Sequence, residues 1–239
     1  MKPASKAAAA AVSSHPPALA QLDSLAFFAS SMEPPEDGFE VQVLCWPTIS
    51  SAWRALTDTW RALYSPDLKR SPAVSAAWVN QSAPQISSVF ADLAALETSI
   101  ASLITRTAVG MSVAVSTPAR RASQRELFVE CLHGYQEFLR TPGRSAFTAA
   151  VIDTPIGAEP VDDHFRAAIQ GIPFPTAPAL HHWEGANSPI PLELARVASA
   201  AVARYASNRE AGNPIFDAVR GKLVSTPLSL TSTLRGRRR

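Results

Sequence analysis

FEVQVLCW, residues 39–46, is the stretch on which the fold turns. Phe39, Val41, Val43 and Cys45 alternate with Glu40, Gln42 and Leu44, a period of two that predicts a short strand. A lone strand needs a partner, and GMSVAVST at 110–117 is the best β-like candidate. Outward from this pair the spacing turns helical. Upstream, Leu19, Leu22, Leu25 and Phe28 recur at helical intervals and predict a helix over Pro17–Ser31, stopped by the turn-rich MEPPEDG at 32–38. Downstream, Ser50 or Ser51 can cap a helix that carries WRAL at 53–56 and again at 60–63. Trp53, Leu56, Trp60 and Leu63 share one face of it and read as core, with Arg54 and Arg61 beside them at the surface.

Five further helices follow from pattern and caps. Ile86, Phe90, Leu93, Leu96, Ile100 and Leu103 mark an apolar stripe over Pro84–Thr105. Ser123 with Glu126 three residues on is a capping box, and Leu127 or Phe128, Cys131, Tyr135 and Phe138 continue the stripe until Thr141-Pro142-Gly143. Asp162 or Asp163 starts a short helix to Gln170, and Leu192–Ser207 is Ala-rich and helical. Asn213-Pro214 is a cap followed by a first-turn proline for a last helix through Arg220. These patterns predict a mainly α protein: a helical bundle with one short β-hairpin or strand pair and extended Pro-rich arms. The expected organisation is a flexible N-terminal arm at 1–17, a helical core domain at 18–170, a Pro-rich arm at 171–191, C-terminal helices at 192–222 and a basic disordered tail at 223–239.

Composition narrows the function. Ala, Ser and Pro make up 88 of 239 residues, well above average usage, while charged residues are 18%. Two cysteines, Cys45 and Cys131, exclude a disulfide scaffold and a four-Cys zinc site. The N-terminus imitates a signal peptide, with Lys2 and Lys6 before a small apolar run. That run is only Ala7–Val12 and is followed at once by Ser13-Ser14-His15-Pro16-Pro17, short of a secretory core. No window approaches a membrane span, so no membrane partner is expected.

Charge layout says more than the net +2. Residues 1–100 sum to −3, 101–125 to +4, 126–195 to −6 and 196–239 to +7. The first basic block holds Arg120, Arg121 and Arg125 without an acid, and the chain ends on Arg235, Arg237, Arg238 and Arg239 within five residues. Arginine suits bidentate phosphate contact, so these seven are the expected RNA-binding residues. Alternating blocks also suit self-assembly, basic segments of one copy meeting acidic segments of the next. Phe174 and Trp183, within a 171–191 segment that contains five prolines, are expected to dock into a neighbouring subunit.

Catalytic signatures are lacking. The chain has no Walker A loop, no GxGxxG and no HExxH, and Arg144 precedes Ser145 where a nucleophile elbow needs glycine-flanked serine. Cys131 and His133, at i and i+2, point to different helix faces. Asp162-Asp163-His164 is explained by helix capping, and His181-His182 lacks a third ligand in sequence reach. No catalytic residue, metal or cofactor is expected.

The Pro-Ala-Ser excess, arginine-rich end, modest size and missing enzyme motifs resemble the proline-alanine-serine-rich proteins of polymycoviruses, fungal viruses with segmented double-stranded RNA. That resemblance is compositional. It implies a protein that associates with viral RNA in place of a conventional capsid, forms homo-oligomers or filaments, and resides in the virion and the host cytoplasm. A fainter similarity is to the helical coat proteins of rod-shaped plant RNA viruses. It rests on Arg144-Ser145-Ala146-Phe147 after the helix ending near Arg140, and on Trp46 and Trp53 near an early helix. Both point to a coat protein that self-assembles and holds genomic RNA through phosphates, independent of sequence. The alternative is a protein-interaction or scaffold module without nucleic acid.

Overall fold

In a computed structural model the described residues are 24–32, 39–63, 93–153, 159–183, 188–208 and 213–224. Their centre is a five-stranded mixed sheet, β1 (Leu25–Met32), β2 (Glu40–Pro47), β3 (Val109–Ser116), β4 (Ala149–Ile152) and β5 (Ala179–His182), in the order β3-β2-β1-β4-β5. β2 runs antiparallel to both neighbours, while β4 and β5 run parallel to β1. Six α-helices are described: α1 (Ala52–Trp60), α2 (Leu93–Arg106), α3 (Gln124–Leu139), α4 (Glu159–Ile169), α5 (Ile190–Ser207) and α6 (Pro214–Arg220).

The expected helical bundle is therefore corrected to a three-layer α/β architecture with a sheet in the middle. Alternation along each strand splits the core in two. Leu25, Phe27 and Ala29 of β1, Val41, Val43 and Cys45 of β2 and Met111, Val113 and Val115 of β3 pack under α1, α2, α5 and α6. Ala26 and Phe28, Leu44 and Trp46, Ala114, and Ala150 and Ile152 pack under α3 and α4. A strand covered on both faces reads as an apolar run rather than an alternation. Leu25 and Phe28 owe their helical spacing to this: they face opposite layers of β1. Seven of the residues in the expected Pro17–Ser31 helix belong to that strand, and 17–23 lie outside the described residues.

The strand pair read from FEVQVLCW and GMSVAVST does form, antiparallel, with Val43 opposite Val113 and Cys45 opposite Met111. Trp53, Leu56, Trp60 and Leu63 are core, as their spacing predicts. The Trp53 indole N–H donates to Leu25 O at 2.9 Å, tying α1 to β1. Ser123 and Glu126 form the reciprocal capping box of α3, and Asn213 caps α6 through the Phe216 N–H.

The extended Pro-rich arm is the second correction. Residues 171–183 hold β5, which completes the sheet by pairing with β4, Ala149 to Ala179 and Ile152 to His182. Proline is compatible with this because β5 is an edge strand and begins after Pro178. The other expected arm, 1–17, lies outside the described residues.

Candidate nucleic-acid interface

β3 is an edge of the sheet, and its C-terminal end opens onto α3. Beyond Ser116 the chain turns tightly: Thr117 and Arg120 exchange backbone hydrogen bonds of 3.1 and 3.0 Å, and the Ala122 N–H donates to the buried Ser116 Oγ at 3.0 Å. Ser123 then starts α3. Its N–H donates to Glu126 Oε2 at 2.6 Å and the Glu126 N–H donates back to Ser123 Oγ at 3.3 Å. Glu126, Val129, Glu130 and His133 recur on one face of α3, three and four residues apart. With Val115, Thr117, Arg120 and Arg125 they line an open groove of about 760 Å³.

Local charge shapes this groove. The capping hydrogen bonds from Ser123, helped by nearby Arg120, hold the Glu126 carboxyl below its usual range. Glu130 is half-buried in the groove wall, and desolvation pushes its carboxyl up against the opposing pull of Arg120. Arg120 thus stands close to both acids, while Arg125 and His133 are exposed along the same helix. The groove thus sets two arginines against two carboxylates, with the Thr117 and Ser123 hydroxyls beside them, over a partly apolar floor.

Of the arginines singled out in the sequence, Arg120 and Arg125 meet in this groove, and Arg121 is exposed on the same turn. Arg235, Arg237, Arg238 and Arg239 lie outside the described residues. Sequence reading missed Thr117, Glu126, Glu130 and His133 as groove residues. The i, i+3, i+4, i+7 spacing of the last three with Val129 is the signal that could have found them.

Phe174 and Trp183 do not project from an arm. Phe174 stacks within 6.2 Å of Tyr135 and 5.1 Å of Phe147, and Trp183 packs against the core beside β5. The Arg144–Phe147 element is also spent internally. Arg144 donates to Thr48 O at 2.7 Å and lies over the Phe138 ring, and Phe147 is buried with its N–H on Tyr135 Oη at 2.9 Å. Burial pushes the Tyr135 hydroxyl up to about 12. Cys45 and Cys131 are buried free thiols, raised by desolvation and so kept unreactive.

A second polar cluster lies at the carboxyl ends of the parallel strands β1, β4 and β5, where the strand order reverses and α/β sheets commonly bind ligands. Here Arg196 of α5 clamps Asp153, at the end of β4, through two nitrogens, with Nε on Oδ2 at 2.6 Å. Its third nitrogen donates to Ser188 Oγ. On the other face the His182 ring shares a 2.6 Å hydrogen bond with Asp162 of α4. The guanidinium is fully engaged, so this crevice is bridged by an internal ion pair.

The chain matches no protein-family model and no curated protein. Among solved structures it is similar to the crystal structure of Bst-RNase HIII in complex with Mn2+, at 15% identity and a TM-score of 0.32, over 94% of this chain and 75% of that one. So loose a likeness bears on neither fold nor function. The manganese belongs to that protein; among the described residues here no group of three or more His, Cys, Asp and Glu side chains is placed to hold a metal ion.

Proposed function

We propose that this protein is a viral RNA-associated coat protein that self-assembles and binds RNA through its phosphates without reading bases. The observation that carries the reading is the meeting of Arg120 and Arg125 in one groove at the end of β3. A second feature aligns with it. Leu223 pairs with Met111 in a parallel bridge, so the chain leaves its last described residue, Val224, heading along β3 toward that groove. From Met111 to Thr117 is about 20 Å of strand. The eleven residues from 225 to 235 reach up to about 36 Å, so Arg235, Arg237, Arg238 and Arg239 are within range of Arg120 and Arg125.

Sequence-independent binding has its own support. Among the described residues the exposed large hydrophobics are Ile49 and Val224, and no aromatic ring is among them. Base stacking on an aromatic platform is the usual means of holding splayed bases, whereas the described rings that reach the surface, Phe39, Phe174, Trp183 and Tyr205, do so only in part and are packed against the core. Self-assembly, and residence in the virion and the host cytoplasm, rest on the compositional resemblance to the polymycovirus proteins and on the alternating charge blocks.

Filter binding to two unrelated RNAs between low and physiological salt tests the reading. Each phosphate contact on a duplex contributes about 0.9 to the log–log salt slope. Replacing both Arg120 and Arg125 by Ala lowers the slope by about 2, and deleting 235–239 by about 3–4. Both truncated and substituted chains bind the two RNAs equally at equal length. An unchanged slope in both variants, or purified protein that carries no nucleic acid, favours the scaffold alternative. Electron microscopy of purified material with and without nuclease tests the assembly.

A further inference from the structure

The turn that leads into α3 carries a pattern that phosphate contact alone does not call for. Arg120-Arg121-Ala122-Ser123 sets arginines two and three residues before a serine, and no other serine or threonine in the chain has basic residues at both of those positions. Serine kinases that select substrates by charge read this spacing, because carboxylates along their substrate cleft pair with the two guanidinium groups. The fold leaves the segment presentable. Residues 121–123 belong to no helix or strand, Ser123 is extended at φ −71° and ψ 158°, and Arg120, Arg121 and Ser123 are exposed. Ser199 and Ser207, each with an arginine three residues before it, have buried hydroxyls instead.

We propose that Ser123 is a phosphorylation site for an arginine-directed serine kinase, and that its phosphate turns the groove against polyanions. In the transfer the Ser123 Oγ attacks the γ-phosphorus of a nucleoside triphosphate. The Oγ–P bond forms as the bond to the β-phosphate oxygen breaks, the hydroxyl proton passes to the kinase's carboxylate base, and the nucleoside diphosphate leaves. The product cannot keep the present cap. Ser123 Oγ now donates to Glu126 Oε2 at 2.8 Å. A phosphoserine has no such proton to give and sets a second anion against the Glu126 carboxylate, so the capping box opens. Arg120 and Arg125 line the same groove as Ser123 and are the cations the phosphate draws on. Two arginines there already face the carboxylates of Glu126 and Glu130, and a further charge of about −1.5 to −2 leaves the groove net negative. The site stands apart from the RNA reading, whereas its effect on binding rests on that reading.

Two arms test it on the full-length chain. In the first, without nucleic acid, the chain is incubated with magnesium ATP and the catalytic subunit of cyclic-AMP-dependent protein kinase, and the phosphate is located by tandem mass spectrometry. Expected is about one phosphate per chain, on Ser123. Arg121→Gln, which leaves the acceptor and its cap in place, slows incorporation by about tenfold or more. Ser123→Asn keeps a capping side chain and removes the acceptor, so the peptide that holds residue 123 takes up none. A native chain left unmodified at Ser123, or Arg121→Gln modified as fast as the native chain, overturns the site. In the second arm the modified chain is taken through filter binding to two unrelated RNAs, where its log–log salt slope falls by about 2 and returns on treatment with a phosphatase. A modified chain with the native slope overturns the regulation. Failure of the RNA reading shows differently, as an unmodified chain whose slope does not respond to Arg120→Ala with Arg125→Ala, and the first arm then decides the site by itself.

Discussion

Gly110→Ala is the sharpest test of how the sheet and its α3 layer are fitted together. Gly110 lies opposite Trp46 in the β2–β3 register. A Cβ built there falls 2.6 Å from Trp46 Cε2 and Nε1 and 2.8 Å from Cζ2. Ordinary carbon contacts need about 3.5–4.0 Å, so the indole must retreat by about 1 Å. It has nowhere to go. Trp46 is 1% exposed, with the Tyr135 ring at 5.0 Å and the Phe138 ring at 5.5 Å. Overpacking of this kind costs about 1–3 kcal/mol. For a chain of this size, about 2 kcal/mol lowers Tm by about 4–8 °C. Urea denaturation followed by tryptophan fluorescence, with a thermal melt, reads the loss. Trp46→Phe in the same background should recover part of it, and a phenyl ring forfeits no hydrogen bond, since the Trp46 N–H has no partner. The resulting coupling energy is about 1 kcal/mol or more. Gly171→Ala, whose Cβ meets nothing within 4 Å, is the control and should stay within about 0.5 kcal/mol of the native chain. A Gly110→Ala protein as stable as the native one, or two substitutions that simply add, would refute the argument.

Three other outcomes are expected. Asp153→Asn leaves Arg196 without its carboxylate in a half-buried place and should cost about 2 kcal/mol in urea denaturation, with Arg196→Met in the same chain restoring part of it. Glu130→Gln should change the pH dependence of stability: because folding raises the Glu130 carboxyl, the folded chain binds the proton more tightly, and native stability falls as pH rises above about 4.5. The variant should therefore melt higher than the native chain at pH 7, with the gap closing toward pH 4, in thermal melts across that range. Lys222→Met removes an ammonium that donates to Thr105 O at 2.9 Å and Thr107 O at 2.7 Å at the end of α2. A loss of about 1 kcal/mol by chemical denaturation is expected from the helix terminus alone.

How much of this was legible depends on what each element shows to its neighbours. β2 and β3 are covered on both faces, but Glu40 and Gln42 between Phe39, Val41 and Val43 leave enough of a two-residue period in β2 to read, and β3 follows as its partner. β1 was not readable, since LAFFASSM is covered on both sides too and carries no period. β4 and β5 have four residues each, AAVI and ALHH, too short for any pattern to emerge over chance. Helices with chemical caps, Ser123 with Glu126 and Asn213 with Pro214, were placed to within a residue or two. The groove was half visible: the block of like charge exposed Arg120 and Arg125, but their convergence with His133 and Glu130 depends on β3 ending beside α3, a tertiary fact. Phe174 and Trp183 misled because proline-rich sequence suggests an arm, and only pairing with β4 shows that the segment is an edge of the sheet.

β2 and β3 are neighbours in the sheet yet are joined by an excursion of about sixty residues, drawn together at its neck where the Thr48 N–H meets Ala108 O at 2.9 Å. By contrast seven residues join β1 to β2. Closing the longer loop costs about 2 kcal/mol more chain entropy, or about 25-fold in the rate of a first encounter. During folding the β1–β2 hairpin therefore forms early, and the outer edge of β2, with the backbone groups of Gln42, Leu44 and Trp46, waits bare until β3 arrives. A newly made chain is most exposed to wrong pairing in that interval, and a substitution that slows the docking of α1 or α2 should lower soluble yield well before it lowers the stability of the finished protein.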